Sequence, residues 1–192
     1  MPDDGLPVLS PASAAEWDTW LSEHHAGSAG LWLKIPKKGS DAPGVSYPDA
    51  LSVALCHGWI DGQKGRLADE FWLQRFTPRR AGSKWSRINR DQATALIEAG
   101  RMRPAGLREV ELARADGRWA AAYESQSTAA VPEDLARALA GNDTARAFFE
   151  RLDRANRYAI LYRLADAKRP ETRARRLATF MAMLSEGKKI HP

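Results

Sequence analysis

Apolar residues recur at helical spacing over most of the chain and at strand spacing in a few short stretches. Trp17, Trp20 and Leu21 lie at i, i+3 and i+4, which places three apolar side chains on one face of a helix. Ser13 is a suitable N-cap for this helix, and Glu16 three residues later completes a capping box. The pattern therefore predicts a first amphipathic helix that begins just after Ser13.

Strand-like patterns predict a small sheet. In Leu31–Ile35, Trp32 points to one face and the three aliphatic residues point to the other. Two further strands are predicted at residues 59–62, ended by an Asp-Gly turn, and at residues 70–76. The polar stretch 63–69 is predicted as the hairpin loop between them. We expect about three strands in an antiparallel sheet that is packed by helices.

The stretch after Ser46 predicts a buried helix. Ser46 is a good N-cap, Asp49 stands at the third helical position, and Pro48 falls in the first turn, where a missing N–H costs nothing. Apolar residues then occupy nearly every side of the helix, which is typical of a helix without a solvent-facing surface. Gly58 is the expected left-handed residue that ends it.

Beyond Pro78 the pattern predicts helices alone, with a Ser/Thr/Ala-rich linker at residues 125–131. The fold class is therefore predicted as α+β and mostly helical. We expect a flexible N-terminus at residues 1–12, an α+β domain at 13–124 and a helical subdomain at 125–192.

Composition excludes several classes of protein. The 192 residues are 44% hydrophobic and 28% charged, which is ordinary for a globular protein, and the single cysteine excludes an internal disulfide. No zinc-ligand spacing, secretory signal or membrane-length apolar run is present in the sequence. We expect a cytoplasmic protein with no metal and no cofactor.

Positive charge is concentrated near the C-terminus. Residues 143–192 hold 12 Lys and Arg against 6 Asp and Glu. Such an excess suits an anionic partner, including nucleic acid, and it equally suits an Arg-rich helix face in contact with solvent. A nucleic-acid-binding module remains possible on this evidence, but it is not the favoured interpretation.

The strongest signal for a site is the segment from Arg75 to Arg90, which contains no carboxylate between its ends. Guanidinium groups, hydroxyl groups and the free amides of a helix N-terminus are the groups that bind anions, and a tryptophan can stack on a planar ligand. A solvated loop whose arginines pair with distant acids is the alternative. The predicted ligand contacts are Arg79, Arg80, Ser83, Trp85, Ser86 and Asn89, backed by Trp59 and Asp61.

Three residues are weaker candidates for catalysis. Cys56 and His57 are adjacent, so their side chains diverge on a helix, and burial in an apolar helix would raise the pKa of the thiol. Cys56 is therefore interpreted as a core residue. His57 is either a general base or a hydrogen-bonded boundary histidine, and Asp61 is either a base or a turn residue.

The chain resembles the YdeI/OmpD-associated family of bacterial proteins, often labelled bacteriocin-protection proteins. The pieces that carry the resemblance include GLWLKIPKK, YPDALSVALCHGWIDG and RFTPRRAGSKWSRIN. The C-terminal part, from VPEDLARALAGNDTARAFFERL to AKRPETRARRLATFMAMLSEGKK, is similar to the helical OmdA-type domain. The resemblance implies a role in stress or antimicrobial protection and no particular reaction. His57 stands where this family more often has an aromatic residue, which argues against catalysis by His57.

Together these features predict a cytoplasmic bacterial protein of stress or bacteriocin protection that binds an anionic or planar small ligand. One alternative is a small-molecule enzyme that uses Asp61 or His57. The other is a nucleic-acid-binding module that uses the Arg-rich C-terminal helices.

Overall fold

The computed structural model describes residues 4–67, 70–126 and 128–192. The first three residues of the predicted flexible N-terminus, Ala68 and Asp69 of the predicted hairpin loop, and Ser127 of the predicted linker lie outside the described residues. The chain divides into two compact units, Met1–Ala122 and Tyr123–Pro192. Each unit has its own hydrophobic core. The mostly helical α+β fold class is confirmed.

The first unit contains a four-stranded sheet. Its strands are β1 (Val8–Leu9), β2 (Leu31–Pro36), β3 (Trp59–Arg66) and β4 (Phe71–Pro78), in the order β1-β2-β4-β3. The β2–β4 and β3–β4 pairs are antiparallel, as expected, but β1 pairs in parallel with β2. The prediction of a purely antiparallel sheet was therefore wrong. A strand of two residues is too short for an alternating pattern to reveal.

The predicted Asp-Gly turn after Asp61 is also wrong, because β3 continues to Arg66. The β3–β4 register shifts between Asp61 and Lys64, so the extra residue is accommodated as a bulge inside the strand. The fully buried Gln74 amide donates hydrogen bonds to the carbonyls of Gly62 and Gln63, at 2.9 and 3.2 Å. These bonds satisfy backbone groups that the bulge removes from the ladder.

Four helices complete the first unit: α1 (Ala14–His24), α2 (Tyr47–Cys56), α3 (Arg87–Glu98) and α4 (Pro104–Ala115). Ser13 and Ser46 cap α1 and α2 through their side-chain oxygens, as their positions in the sequence predict. The aliphatic face of β2 joins the helices in one core. The most buried members of that core include Trp17, Leu31, Leu33, Ala54, Trp59, Phe76 and Trp85.

The second unit contains four helices within its described residues. They are α5 (Glu133–Ala140), α6 (Asp143–Arg151), α7 (Arg154–Ala165) and α8 (Pro170–Ser185). Helix α8 packs against each of the other three. Its core is built from the apolar faces of these helices, with Leu135, Phe149, Ile160, Leu164 and Leu184 nearly or fully buried.

Helix α4 makes close backbone contact with the end of α2. The amide of Arg103 donates to the carbonyl of Cys56 at 3.1 Å, just before α4 begins. A methyl group added to Gly106 would clash with the carbonyl oxygen of Cys56 and would approach that of Leu55 to 2.7 Å. Because both neighbours are backbone atoms, this position requires glycine.

We predict that Gly106→Ala lowers the free energy of unfolding by about 1–3 kcal/mol, because overpacking against fixed backbone forces the two helices apart. Gly27→Ala is the matched control, since a methyl group there meets no atom within 4 Å. Denaturant unfolding followed by tryptophan fluorescence measures the effect, because all seven tryptophans lie in the first unit. Equal stability of the two variants would contradict the prediction.

Candidate functional site

Arg79 and Trp85, both predicted as ligand contacts, are held inside the fold. The guanidinium carbon of Arg79 lies 3.5 Å from the centroid of the Trp85 ring, and its Nη1 donates to the carbonyl of Lys84 at 3.3 Å. Trp85 is 1% exposed and packs edge-on against Trp119, with ring centroids 4.9 Å apart. A cation–π stack of this kind, out of water, stabilises the loop itself. The Trp85 ring is therefore not exposed to a planar ligand in this conformation.

The three other predicted contacts in this loop shape its backbone. The Ser83 hydroxyl accepts a hydrogen bond from the Arg80 amide at 2.9 Å, and Ser86 accepts one from the Asn89 amide at 3.1 Å. Ser86 is therefore the N-cap of α3, and Asn89 lies within the helix and is 7% exposed. The carbonyl of Ser83 accepts a further bond from Arg118 at 2.7 Å, so the loop is fixed from two sides.

Part of the predicted set is thus buried and part is at the surface. Trp59 is 1% exposed, and its indole N–H donates to the carbonyl of His25 at 3.2 Å. The exposed basic residues of this segment are Arg80, Lys84 and Arg87, and Ser83 and Ser86 are half-buried. Helix α3 has no acidic residue in its first turn. The assignment of ligand contacts stays a prediction.

Asp61 is a hydrogen-bond acceptor at the edge of the core. The phenol of Tyr47 donates to its carboxylate at 2.8 Å. Burial, together with the negative charge of Asp61, raises the pKa of the Tyr47 phenol, which therefore stays protonated and keeps donating. Nearby, the Lys64 ammonium lies 4.7 Å from the centroid of the Trp72 ring. This arrangement anchors the start of α2 to β3, and a catalytic role for Asp61 stays a prediction.

His57 belongs to a polar network that the sequence did not reveal. The residue is 4% exposed, and its Nε2 lies 2.8 Å from Oδ1 of Asp18. The other carboxylate oxygen of Asp18 accepts a hydrogen bond from Arg103, also at 2.8 Å. Asp18 is 39 positions from His57 and 85 from Arg103, so no local spacing could have joined them. Each oxygen of the carboxylate has a partner on a different element.

The network fixes the protonation states of its members. Burial lowers the pKa of the His57 imidazole, and this effect outweighs the attraction of the Asp18 carboxylate. Burial acts to raise the pKa of the Asp18 carboxyl, but hydrogen bonds from His57 and Arg103 and the charge of Arg103 outweigh it, so that pKa is lowered. At neutral pH the geometry therefore holds a neutral imidazole that donates to an ionised carboxylate.

Cys56 borders a pocket of about 390 Å³ that Asp18 and Arg103 also line. Cys56 is 4% exposed, and this burial raises the pKa of its thiol. A protonated thiol is a poor nucleophile, which agrees with the interpretation of Cys56 as a core residue.

Many basic residues of the second unit are engaged within it. Two nitrogens of Arg173 bind the carboxylate of Asp134 at 2.6 and 2.8 Å, and a third donates to the carbonyl of Leu164 at 2.8 Å. Arg157 lies over the Phe149 ring, 4.7 Å from its centroid. Charges committed to such contacts are less available for phosphate groups.

Within the part of the chain that the structure describes, no group of three or more His, Cys, Asp or Glu side chains is arranged to hold a metal ion. The helices described there are all too short or too polar to cross a membrane.

We predict that the free energy of unfolding falls as the pH is lowered from about 7.5 to about 5.5. The pKa of His57 is lower in the folded state than the value of about 6.5 for an unfolded chain, so the unfolded state gains protons first. His57→Gln, which keeps an N–H donor and cannot titrate, should reduce this loss. His24→Gln, at an exposed histidine, is the control. Denaturant unfolding, followed by tryptophan fluorescence at several pH values, measures the effect. If His57→Gln loses as much stability at low pH as the wild type, His57 is not the source of the pH dependence.

Comparisons with known proteins divide the chain in the same region as the structure does. A family model described as "Domain of unknown function (DUF8412)" matches residues 9–109, and one described as "Bacteriocin-protection, YdeI or OmpD-Associated" matches residues 128–187. No curated protein and no solved structure matches the chain. The second match confirms the family resemblance, while the N-terminal part matches a different model. The chain therefore belongs to the DUF8412 family of unknown function and carries, at residues 128–187, an OmdA domain of the bacteriocin-protection, YdeI or OmpD-associated family.

Proposed function

We propose that this protein takes part in protecting a bacterial cell against bacteriocins or related stress, and that it acts in the cytoplasm by binding a small anionic ligand. The OmdA domain supports the first half of this proposal, because it links the chain to bacteriocin protection at the level of the family. The second half rests on the surface at the start of α3. We call this surface the α3 site and define it by Arg80, Ser83, Ser86 and Arg87.

The observation that carries the proposal is the charge at the start of α3. The N-terminus of a helix has unsatisfied amides and a partial positive charge, so acidic residues usually occupy its first turn. Helix α3 has none there, and it begins instead with the exposed Arg87. Arg80 is exposed on the preceding turn. A bound anion would balance the positive charge at this end of the helix.

The loop before α3 has the rigidity that a binding site needs. The Arg79–Trp85 stack, the Arg80–Ser83 turn and the Arg118–Ser83 bond hold it in one conformation. Less conformational entropy is then lost when a ligand binds. In this arrangement Arg79 and Trp85 support the site, and the surface residues make the contacts. An aromatic ligand would rest against the exposed arginines and would not reach Trp85.

The two alternatives have less support. Asp61 is hydrogen-bonded to Tyr47, and His57 is hydrogen-bonded to Asp18. An enzyme that used either residue would also need a substrate cavity and a second reacting group next to it. A nucleic-acid-binding role would draw on the arginines of the second unit, several of which bind acids or carbonyls of their own unit.

AMP and inorganic phosphate are suitable probes for the α3 site, and isothermal titration calorimetry measures their affinity. We predict that both bind, that adenosine does not, and that Arg80→Ala weakens AMP binding by roughly tenfold or more. A hydrogen bond to a charged group contributes about 1.5–3 kcal/mol, and about 1.4 kcal/mol corresponds to a factor of ten in affinity.

Arg108→Ala is the matched control, because it removes one exposed arginine from α4 and leaves the α3 site intact. Trp85→Ala is unsuitable, since loss of a buried tryptophan costs about 3–5 kcal/mol of stability. If AMP and phosphate fail to bind, or if both arginine variants bind them equally, the α3 site is not a ligand site. If random RNA binds far more tightly than AMP, and its affinity falls steeply with salt, nucleic acid is the ligand instead.

A further inference from the structure

The pocket that Cys56 borders lies beside the C-terminal end of α2. It shares no residue with the α3 site. Its volume is about 390 Å³. We call it the Asp18 pocket and define it by six of the residues that line it: Ala14, Asp18, Val53, Cys56, Arg101 and Arg103.

Backbone hydrogen bonds place both arginines of this pocket. Helix α3 ends in a Schellman motif, in which Gly100 has a φ of +64° and the amide of Arg101 donates to the carbonyl of Leu96 at 2.9 Å. Two residues later the amide of Arg103 donates to the carbonyl of Cys56. The short segment between α3 and α4 is therefore fixed at both ends.

Among the described residues, Arg103 has a side-chain partner and Arg101 has none. Arg103 donates to Asp18, whose second oxygen is bound by His57. Arg101 is exposed, and its side chain makes no hydrogen bond or ion pair with any residue that the structure describes. With His57 neutral, the pocket holds two guanidinium groups against one carboxylate, which leaves one net positive charge.

The three charged residues line the same pocket as Cys56. Burial is the main influence and raises the pKa of the Cys56 thiol, while the charges of Arg101 and Arg103 act to lower it and Asp18 acts to raise it. Ala14 and Val53 contribute apolar wall beside this charged end.

We propose that the Asp18 pocket binds a small organic monocarboxylate. Its carboxylate is held by Arg101 and Arg103, since guanidinium forks match carboxylate geometry, and its hydrocarbon part rests against Ala14 and Val53. A monoanion matches the net charge of the pocket. A phosphate dianion would exceed that charge and would be repelled by Asp18. The inference does not depend on the α3 site, which shares none of these residues.

Hexanoate is the probe that tests this proposal, by isothermal titration calorimetry with the full chain. Hexanoate should bind, and 1-hexanol, which lacks the charge, should bind at least tenfold more weakly. Arg101→Gln should reduce the affinity for hexanoate at least tenfold, because it removes the unpaired guanidinium and leaves the backbone motif in place. Arg108→Gln and Arg80→Gln should leave the affinity unchanged, and the latter separates this pocket from the α3 site.

Thermal unfolding provides a second readout. Hexanoate should raise the midpoint of thermal unfolding of the wild type, and at the same hexanoate concentration it should have little effect in Arg101→Gln. A thermal melt equal to that of the wild type shows that this variant is folded. The proposal is overturned if hexanoate does not bind, if Arg101→Gln and Arg108→Gln lose affinity equally, or if inorganic phosphate displaces hexanoate at equal concentration.

Discussion

Helix α2 is apolar on nearly every side, and the first unit depends on covering it. Six of its ten residues are buried, and its exposed residues, Pro48 and Asp49, lie in the first turn. Helices α1, α3 and α4 and strand β3 all pack against it. The burial of apolar surface is the main favourable term in folding, and a helix of this kind is stable only when its neighbours enclose it. The close contact at Gly106 is one result, since α4 must approach the backbone of α2 to close the last side.

Two polar clusters of the first unit lie at the two ends of this buried helix. At its start, Ser46 caps the helix and Tyr47 donates to Asp61 on β3. At its end, Cys56 and His57 adjoin the carboxylate of Asp18 and the guanidinium of Arg103. The middle of α2 has no room for a buried polar group without a partner, whereas its ends have exposed backbone and neighbouring loops. The two weaker candidates for catalysis, Asp61 and His57, are therefore found at these ends.

The loop from Arg79 to Ser86 shows how a basic segment can serve both the fold and a surface. Arg79 and Trp85 stack within the core, and their contact fixes the turn that carries Arg80 outward. A run of arginines without acids is thus not one uniform patch. Burial separates its members into those that hold the loop and those that face solvent, and a ligand can meet the second group alone.

Much of the local structure, and the family resemblance, can be inferred from the sequence alone. The caps at Ser13 and Ser46, the two-faced strand β2, the buried α2 and the resemblance to the OmdA domain all follow from residues close together in the chain. The parallel pairing of β1, the burial of Trp85 and the partners of His57 depend instead on how the chain packs in three dimensions. Asp18 and Arg103 reach His57 across 39 and 46 positions, and such pairs form because packing brings distant segments together, which no local spacing encodes. The Asp18 pocket belongs to this second class, since α1, α2 and the segment after α3 each contribute part of its wall.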